Sequence, residues 1–325
     1  MRPLAILIAL AGLLAPHAGA LARDSGLAYI TSERDNAITL VDLKSLTVVG
    51  VIPTCKRPRH MQRRNGDAQL MVACSDSGRA DLIDIAQRRS VGSVPLGDDP
   101  EVFDLSPDGK TAYVSAEDDG ALNVFDLTVR SQRGSVVVGK EPEGVRVSAD
   151  GHRVYVTSEV ANMVHVIDTA TLQVVKNITV GTRPRRLAFN ADGSELWVTN
   201  EMGSSVSVIS VKDLSVVATI GFEVKGMRAD DITPVGLTLS RDGKTMYVGL
   251  GRANHVAFVD TATRKTQQLV LVGKRAWGLG LNRDGSRLFV VNGLSDDMTV
   301  VDTASAKPIK TLPVGRVPHT VVVDD

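Results

Sequence analysis

The 325-residue chain carries 37 basic and 37 acidic residues, and aromatic side chains make up only 4% of it. A level charge balance removes the electrostatic footprint expected of a nucleic-acid-binding protein or of one held on an anionic membrane surface, so no nucleic acid is expected as a partner. A chain of this length is compatible with one large domain or two.

In chain order, residues 1–22 stand apart. Arg2 supplies a positive start, LAILIALAGLLA an apolar stretch, and Ala18-Gly19-Ala20 or Ala20-Leu21-Ala22 a small-residue cleavage site. This pattern predicts a secretory signal peptide. The apolar run is shorter than the roughly 20 residues of a spanning helix, and no later segment could cross a bilayer, so no membrane span is expected after cleavage. The mature chain is expected to work in the periplasm.

From residue 23 onward the chain is an array. Asp42, Asp84, Asp126, Asp168, Ser210, Asp260 and Asp302 recur every 42 residues, apart from one step of 50 between Ser210 and Asp260. Each copy reads as one supersecondary unit buried against its neighbours. In the fourth, Asp150-Gly151 joins two alternating apolar runs, a strong hairpin signal, and VHVID and LQVVKNITV add a third and a fourth strand. Seven such units predict an all-β, seven-bladed β-propeller of four-stranded antiparallel blades over residues 23–325, a single domain. The last repeat ends early, at HTVVVDD, so residues 319–323 are expected to complete the blade begun by residues 26–52 and close the ring.

Cys55 and Cys74, the two cysteines, fall at neighbouring ends of one predicted hairpin in the second blade. A disulfide is possible there in an oxidising compartment, the other reading being two separate thiols. The residue after the repeat proline is expected to point at the channel axis, which gives Arg59, Glu101, Glu143, Arg185, Val235, Trp277 and His319. With His60 beside them, Arg59, Glu101, Glu143, Arg185, Trp277 and His319 form a candidate ligand or partner site at the channel mouth. An ion-pair belt in a water-filled channel accounts equally for the charges. A second ring, Glu33, Ser75, Glu117, Glu159, Glu201, Gly251 and Gly293, reads as glutamates accepting backbone N–H groups in their own turns, or as an acidic rim that Arg186, Lys225, Arg228 and Lys274, expected on the same face, would make mixed. Eight extra residues within GFEVKGMRADDITP (221–234) enter on the same end and offer a contact loop beside Trp277, whereas Trp197 reads as core.

The strings YVTSEVANMVHVIDTATLQVV (155–175), LWVTNEMGSSVSVISVKDLSVVATI (196–220) and LFVVNGLSDDMTVVDTASAKPIKTL (288–312) resemble the YVTN-type β-propeller repeat. With the repeat count and the signal peptide, the chain is similar to the propellers associated with PQQ-dependent alcohol catabolism. The resemblance implies a periplasmic, non-catalytic accessory module whose partner is a quinoprotein dehydrogenase or a transport component. It supplies no catalytic residues. No G-x-S-x-G, H-E-x-x-H or dinucleotide fingerprint is present, the vicinal cysteine pair of PQQ enzymes is lacking, and no cofactor is assigned. The alternative is a metal-dependent hydrolase or lactonase at the channel mouth, with Glu101, Glu143 and His319 at its core. The chain reads as a monomer.

Overall fold

The computed structural model describes residues 24–64, 66 and 68–325; the expected signal peptide lies outside the described residues. Seven four-stranded antiparallel sheets follow one another around a ring. The fourth is representative, with strands Pro142–Val147, Arg153–Ser158, Met163–Asp168 and Gln173–Thr179 running outward from the axis. Its second strand is almost entirely buried and its outermost strand almost entirely exposed, because the middle of each sheet is covered on both faces by neighbouring blades.

The repeating aspartate has a local cause. Asp168 Oδ1 accepts from the backbone N–H of Ala170 (3.1 Å) and Thr171 (2.8 Å) and from the Thr171 hydroxyl, which folds the turn into the outer strand. Asp42, Asp126, Asp260 and Asp302 do the same with a Ser or Thr two or three residues on. At Ser210 the roles are exchanged, and Asp213 supplies the carboxylate to the Ser210 hydroxyl. Such side-chain turns compete successfully with strand continuation. At the inner hairpin Gly151 takes φ 74°, and Asp150 accepts from the His152 N–H.

Packing is between blades rather than within them. Tyr155, Val164, Val166 and Ile178 of the fourth blade share one cluster with Leu187, Leu196 and Val198 of the fifth. Each such fully buried aliphatic side chain contributes about 1.5–3 kcal/mol. Trp197 is core, wholly buried, with its Nε1 donating to Glu195.

Closure joins the two ends of the array. Pro318–Asp324 pairs antiparallel with Leu27–Ser32, with Leu27 opposite Asp324 and Ile30 opposite Val321. The Asp324 carboxylate accepts from the Ser25 N–H at 2.9 Å and pairs with Arg63 at 2.9 Å. Cys55 and Cys74 are bridged, which ties the segment carrying Arg57 and Arg59 to the second strand of its blade. The extra segment between the fifth and sixth blades is anchored by Phe222, Val224 and Ile232, buried in the core between those blades, while Lys225 and Arg228 face out. The first strand of the sixth blade is cut to Leu237–Leu239.

Candidate functional site

Six of the seven inner strands are immediately preceded by a residue with left-handed backbone: Arg57, Asp99, Glu141, Arg183, Arg275 and Val317 have φ between 41° and 63°. Just beyond, the ladder to the second strand slips, between Pro58 and Met61, Pro100 and Phe103, Pro142 and Val145, Pro184 and Leu187, and Ala276 and Leu279. A bulge re-aims side chains. Here it turns two consecutive residues of each blade toward the axis, so the expected ring is joined by a second one just below it.

The expected ring is buried throughout: Arg59, Glu101, Glu143, Arg185, Val235, Trp277 and His319 are all 8% exposed or less. Arg59 donates to Glu101 and stands 3.4 Å from Glu33. Arg185 is a hub, in contact with Glu159 and lying 3.4 Å from Glu143 and 3.6 Å from Glu201. Arg183 pairs with Glu159 at 2.7 Å and with Glu201 at 3.2 Å. Glu33 and Glu159 of the second ring therefore hold arginines of the next blade, and Glu201 holds arginines of its own. The expectation that they cap their own turns is corrected, because a buried carboxylate gains more from a guanidinium than from a neutral N–H. Trp277 is no exposed anchor either: Arg275 covers its ring at 4.1 Å and Arg185 at 5.0 Å, with His319 at 5.7 Å.

Arg186, in the residue position that the bulge adds, contacts Glu143 at 2.8 Å and donates to His319 Nε2 at 3.3 Å. The ring proton of His319 therefore sits on Nδ1, 3.2 Å from the Thr320 hydroxyl. His60 packs edge-on against Phe103 at 4.9 Å.

Burial and charge divide these groups. Burial works to raise Glu143, but Arg185 and Arg186 outweigh it and hold the carboxyl at about 2. Burial and the neighbouring Glu143 charge push Glu159 up to about 7 against the pull of Arg185, and burial with Glu143 likewise raises Glu101 despite Arg59. His60 is driven down to about 3 by burial, Arg186 and Arg146. His319 falls well below the ordinary imidazole range through burial and the charges of Arg59 and Arg186. Both imidazoles are thus neutral at neutral pH, beside ionised arginines.

Two chambers lie along the channel and share Trp277 and His319 as a wall. The outer, about 330 Å³, is lined by Glu33, Glu117 and Glu143 together with five arginines, among them Arg59 and Arg185. The inner, about 240 Å³, is lined by His60, Arg146 and Arg186 among apolar residues. Glu101, Glu143 and His319 do not converge as a set of metal ligands. Among the described residues the ligand-type groups that do come together, within 4.8 Å, are Asp99, Glu101 and Glu117, all from the third blade. Arg57 lies 3.5 Å from this Asp99 and 3.8 Å from Glu101, and Arg59 holds Glu101.

Comparison with known proteins places the chain among propellers. The model of the Lactonase family, a 7-bladed β-propeller, matches residues 168–322, and that of the Cytochrome D1 heme domain matches residues 70–186. No curated protein matches. Among solved structures, the periplasmic gluconolactonase PpgL of Pseudomonas aeruginosa superposes with a TM-score of 0.76 at 19% identity, over 92% of this chain and 99% of that one. A putative 6-phosphogluconolactonase of Bacteroides fragilis gives 0.76 at 16% identity, over 93% and 99%. Hydrazine synthase of Kuenenia stuttgartiensis gives 0.76 at 22%, over 86% and 93%. At such identities the likeness is one of fold. Nothing among these matches ties the chain to PQQ-dependent catabolism. Nor do the channel residues fit a haem: the larger chamber, about 330 Å³, is at the floor of the range for drug-sized ligands, and His60 and His319 are packed against Phe103 and Trp277.

Proposed function

We propose that this protein is a periplasmic lactonase, which opens an intramolecular ester of a hydroxylated acid in the outer chamber of its channel. The observation that carries the reading is the meeting, on one cavity, of the Arg59 and Arg185 guanidinium groups, an ionised Glu143 and a neutral His319. The match of the Lactonase model to residues 168–322 and the fold shared with PpgL support it.

The chemistry follows from the protonation states. Water adds through its oxygen to the lactone carbonyl carbon, and its proton passes to His319 Nε2, whose lone pair the incoming substrate frees from the Arg186 N–H that it accepts in the resting site. The guanidinium groups of Arg59 and Arg185, which line the outer chamber, stabilise the negative charge that develops on the carbonyl oxygen, as fixed charges aimed at a developing oxyanion do. Collapse breaks the ring C–O bond. The imidazolium, made strongly acidic by the surrounding arginines, returns its proton to the departing ring oxygen, and the product is a hydroxy acid ionised at its new carboxyl. Glu143, 3.4 Å from Arg185 and 2.8 Å from Arg186, is engaged by both guanidinium groups and acts by positioning them.

The test is hydrolysis of glucono-δ-lactone by the purified mature chain, followed with a pH indicator. His319→Gln is expected to lower kcat by about 10²–10⁴-fold, the usual size of a general acid–base contribution. Lactone opening at the uncatalysed rate by the wild-type protein would refute the proposal. A second reading, partner docking on the entrance face, is favoured by the exposed Val160, Met202 and Leu294, which follow second-ring positions in the fourth, fifth and seventh blades. Capture of a periplasmic dehydrogenase by the wild type, but not by a Met202→Glu/Leu294→Glu variant, is the result it requires.

A further inference from the structure

The inner chamber has a composition that the hydrolytic reading does not use. Its lining contains Arg146 and Arg186 and no aspartate or glutamate. The carboxylates that meet these arginines, Glu143 at 2.8 Å from Arg186 and Asp104 at 3.6 Å from Arg146, lie outside that lining. Three buried nitrogens of chamber-lining residues have no hydrogen-bond partner among the described residues: Arg186 Nη1, His60 Nε2 and, on the wall shared with the outer chamber, Trp277 Nε1. The indole can only donate and so suits an acceptor, whereas the neutral imidazole, whose one proton goes to the Phe103 backbone, presents a lone pair at Nε2 and suits a hydroxyl on the same ligand. Trp277 itself is 6% exposed, which makes an unsatisfied N–H costly unless something occupies the space in front of it.

Gln62, His319 and Thr320 add polar groups, and one flank of the wall is apolar, with Val102, Phe103, Leu237, Leu279 and Val321. Space is left by glycines that the fold requires: a Cβ on Gly236 or Gly278 would collide with the carbonyl oxygen of Trp277 or His319 in the next blade. At about 240 Å³ the chamber is below the usual range for drug-sized ligands. Positive charge, unsatisfied donors, apolar flanks and small volume ask for one chemistry, an anionic oxygen head on a short organic body. A bare inorganic anion would satisfy the donors and leave the apolar wall against water.

We infer that the inner chamber is a binding site for a small organic carboxylate, with Arg146 and Arg186 providing the charge and Trp277 Nε1 and His60 the directed hydrogen bonds. The site does not depend on turnover in the outer chamber, and its occupant need never be a substrate. The positive field that keeps His60 and His319 neutral agrees with it.

Trp277 reports on the site directly, because the only other tryptophan, Trp197, lies in the core. Gluconate titrated into the purified protein is expected to change the tryptophan fluorescence saturably, and Trp277→Phe to abolish the change while calorimetric binding persists. Arg146→Met is expected to weaken binding at least about tenfold and Arg146→Lys to restore part of it, with thermal unfolding as the check on folding. Leu279→Glu, which places a carboxylate in the lining without removing an arginine, is expected to abolish binding. The inference is overturned by the absence of both a fluorescence change and binding heat, by unaltered affinity in Arg146→Met and Leu279→Glu, or by sulfate displacing gluconate at equal concentration. Loss of lactone hydrolysis with gluconate binding intact would break the lactonase reading and leave this one standing.

Discussion

The outer and inner chambers rest on the same inner strands and share Trp277 and His319, yet three glutamates and five arginines line the first, whereas two arginines and no carboxylate line the second. The difference comes from a single-residue offset. In each bulged blade the first residue past the strand start faces the outer chamber and the next faces the inner one, so Arg185 and Arg186 are neighbours in sequence with different surroundings. Where carboxylates are present, the arginines are cross-linked into a belt that is stiff and internally balanced. Where they stay behind the wall, reaching Arg186 and Arg146 only from outside the chamber as Glu143 and Asp104, the chamber-facing side of the arginines is left for something that enters from solution. A propeller can therefore keep a structural network and a ligand site within one channel.

The strongest way to break that contrast is to remove the hub of the outer belt. Arg185→Met leaves Glu143 and Glu159 buried without their shared partner and should destabilise the fold by about 3–5 kcal/mol in a denaturant titration. A loss below 1 kcal/mol would mean the belt is solvated and not structural. Next in size, Cys55→Ser/Cys74→Ser opens a bridge across 19 residues and should cost about 3 kcal/mol. It also frees the segment bearing Arg57 and Arg59, so lactone hydrolysis should suffer more than the Trp277 response to gluconate.

A smaller effect separates Glu159 from Glu143. Glu159 is held at about 7, above the 4.5 of an unfolded glutamate. The native state keeps its proton where the unfolded chain has lost it, so the stability this group contributes is full below about 4.5 and is lost as pH rises through 7. Unfolding free energies measured at intervals across that window should fall by about 1–3 kcal/mol in the wild type and less in Glu159→Gln. Glu143, held at about 2, acts in the opposite sense: its contribution is full above about 4.5 and is lost as pH falls from there through 2, just below the Glu159 window. Least of all, Arg316→Ala removes an exposed partner of Asp35 on the rim and should change stability by no more than about 1 kcal/mol, with both chambers unaffected.

The propeller and its closure were legible in the sequence because the anchor aspartates and the Asp-Gly turns act locally and repeat. The same phase placed Arg59, Glu101, Glu143, Arg185, Trp277 and His319 on the channel. It left out Arg146 and set Arg186 on the entrance rim, whereas Arg186 lines the inner chamber, since a two-residue bulge breaks the strict alternation on which strand patterning relies. The adjacent basic pair Arg185-Arg186, immediately after a repeat proline, was the available signal. The roles of the second-ring glutamates were missed for another reason: their partners are arginines one repeat further on, or from a neighbouring position in the same repeat, and pairing between blades leaves no mark in local composition.

The pairing of Pro318–Asp324 with Leu27–Ser32 has a kinetic corollary. Contacts between partners nearly a whole chain apart are the slowest kind to form, because the intervening loop must be closed before they return any stabilisation. Six blades can assemble as the chain lengthens, but the seventh waits for the final strand, and until that strand arrives the exposed edge of Leu27–Ser32 is an open template for the wrong neighbour. Synthesis that stops a few residues short would release an almost complete protein with its most aggregation-prone edge uncovered.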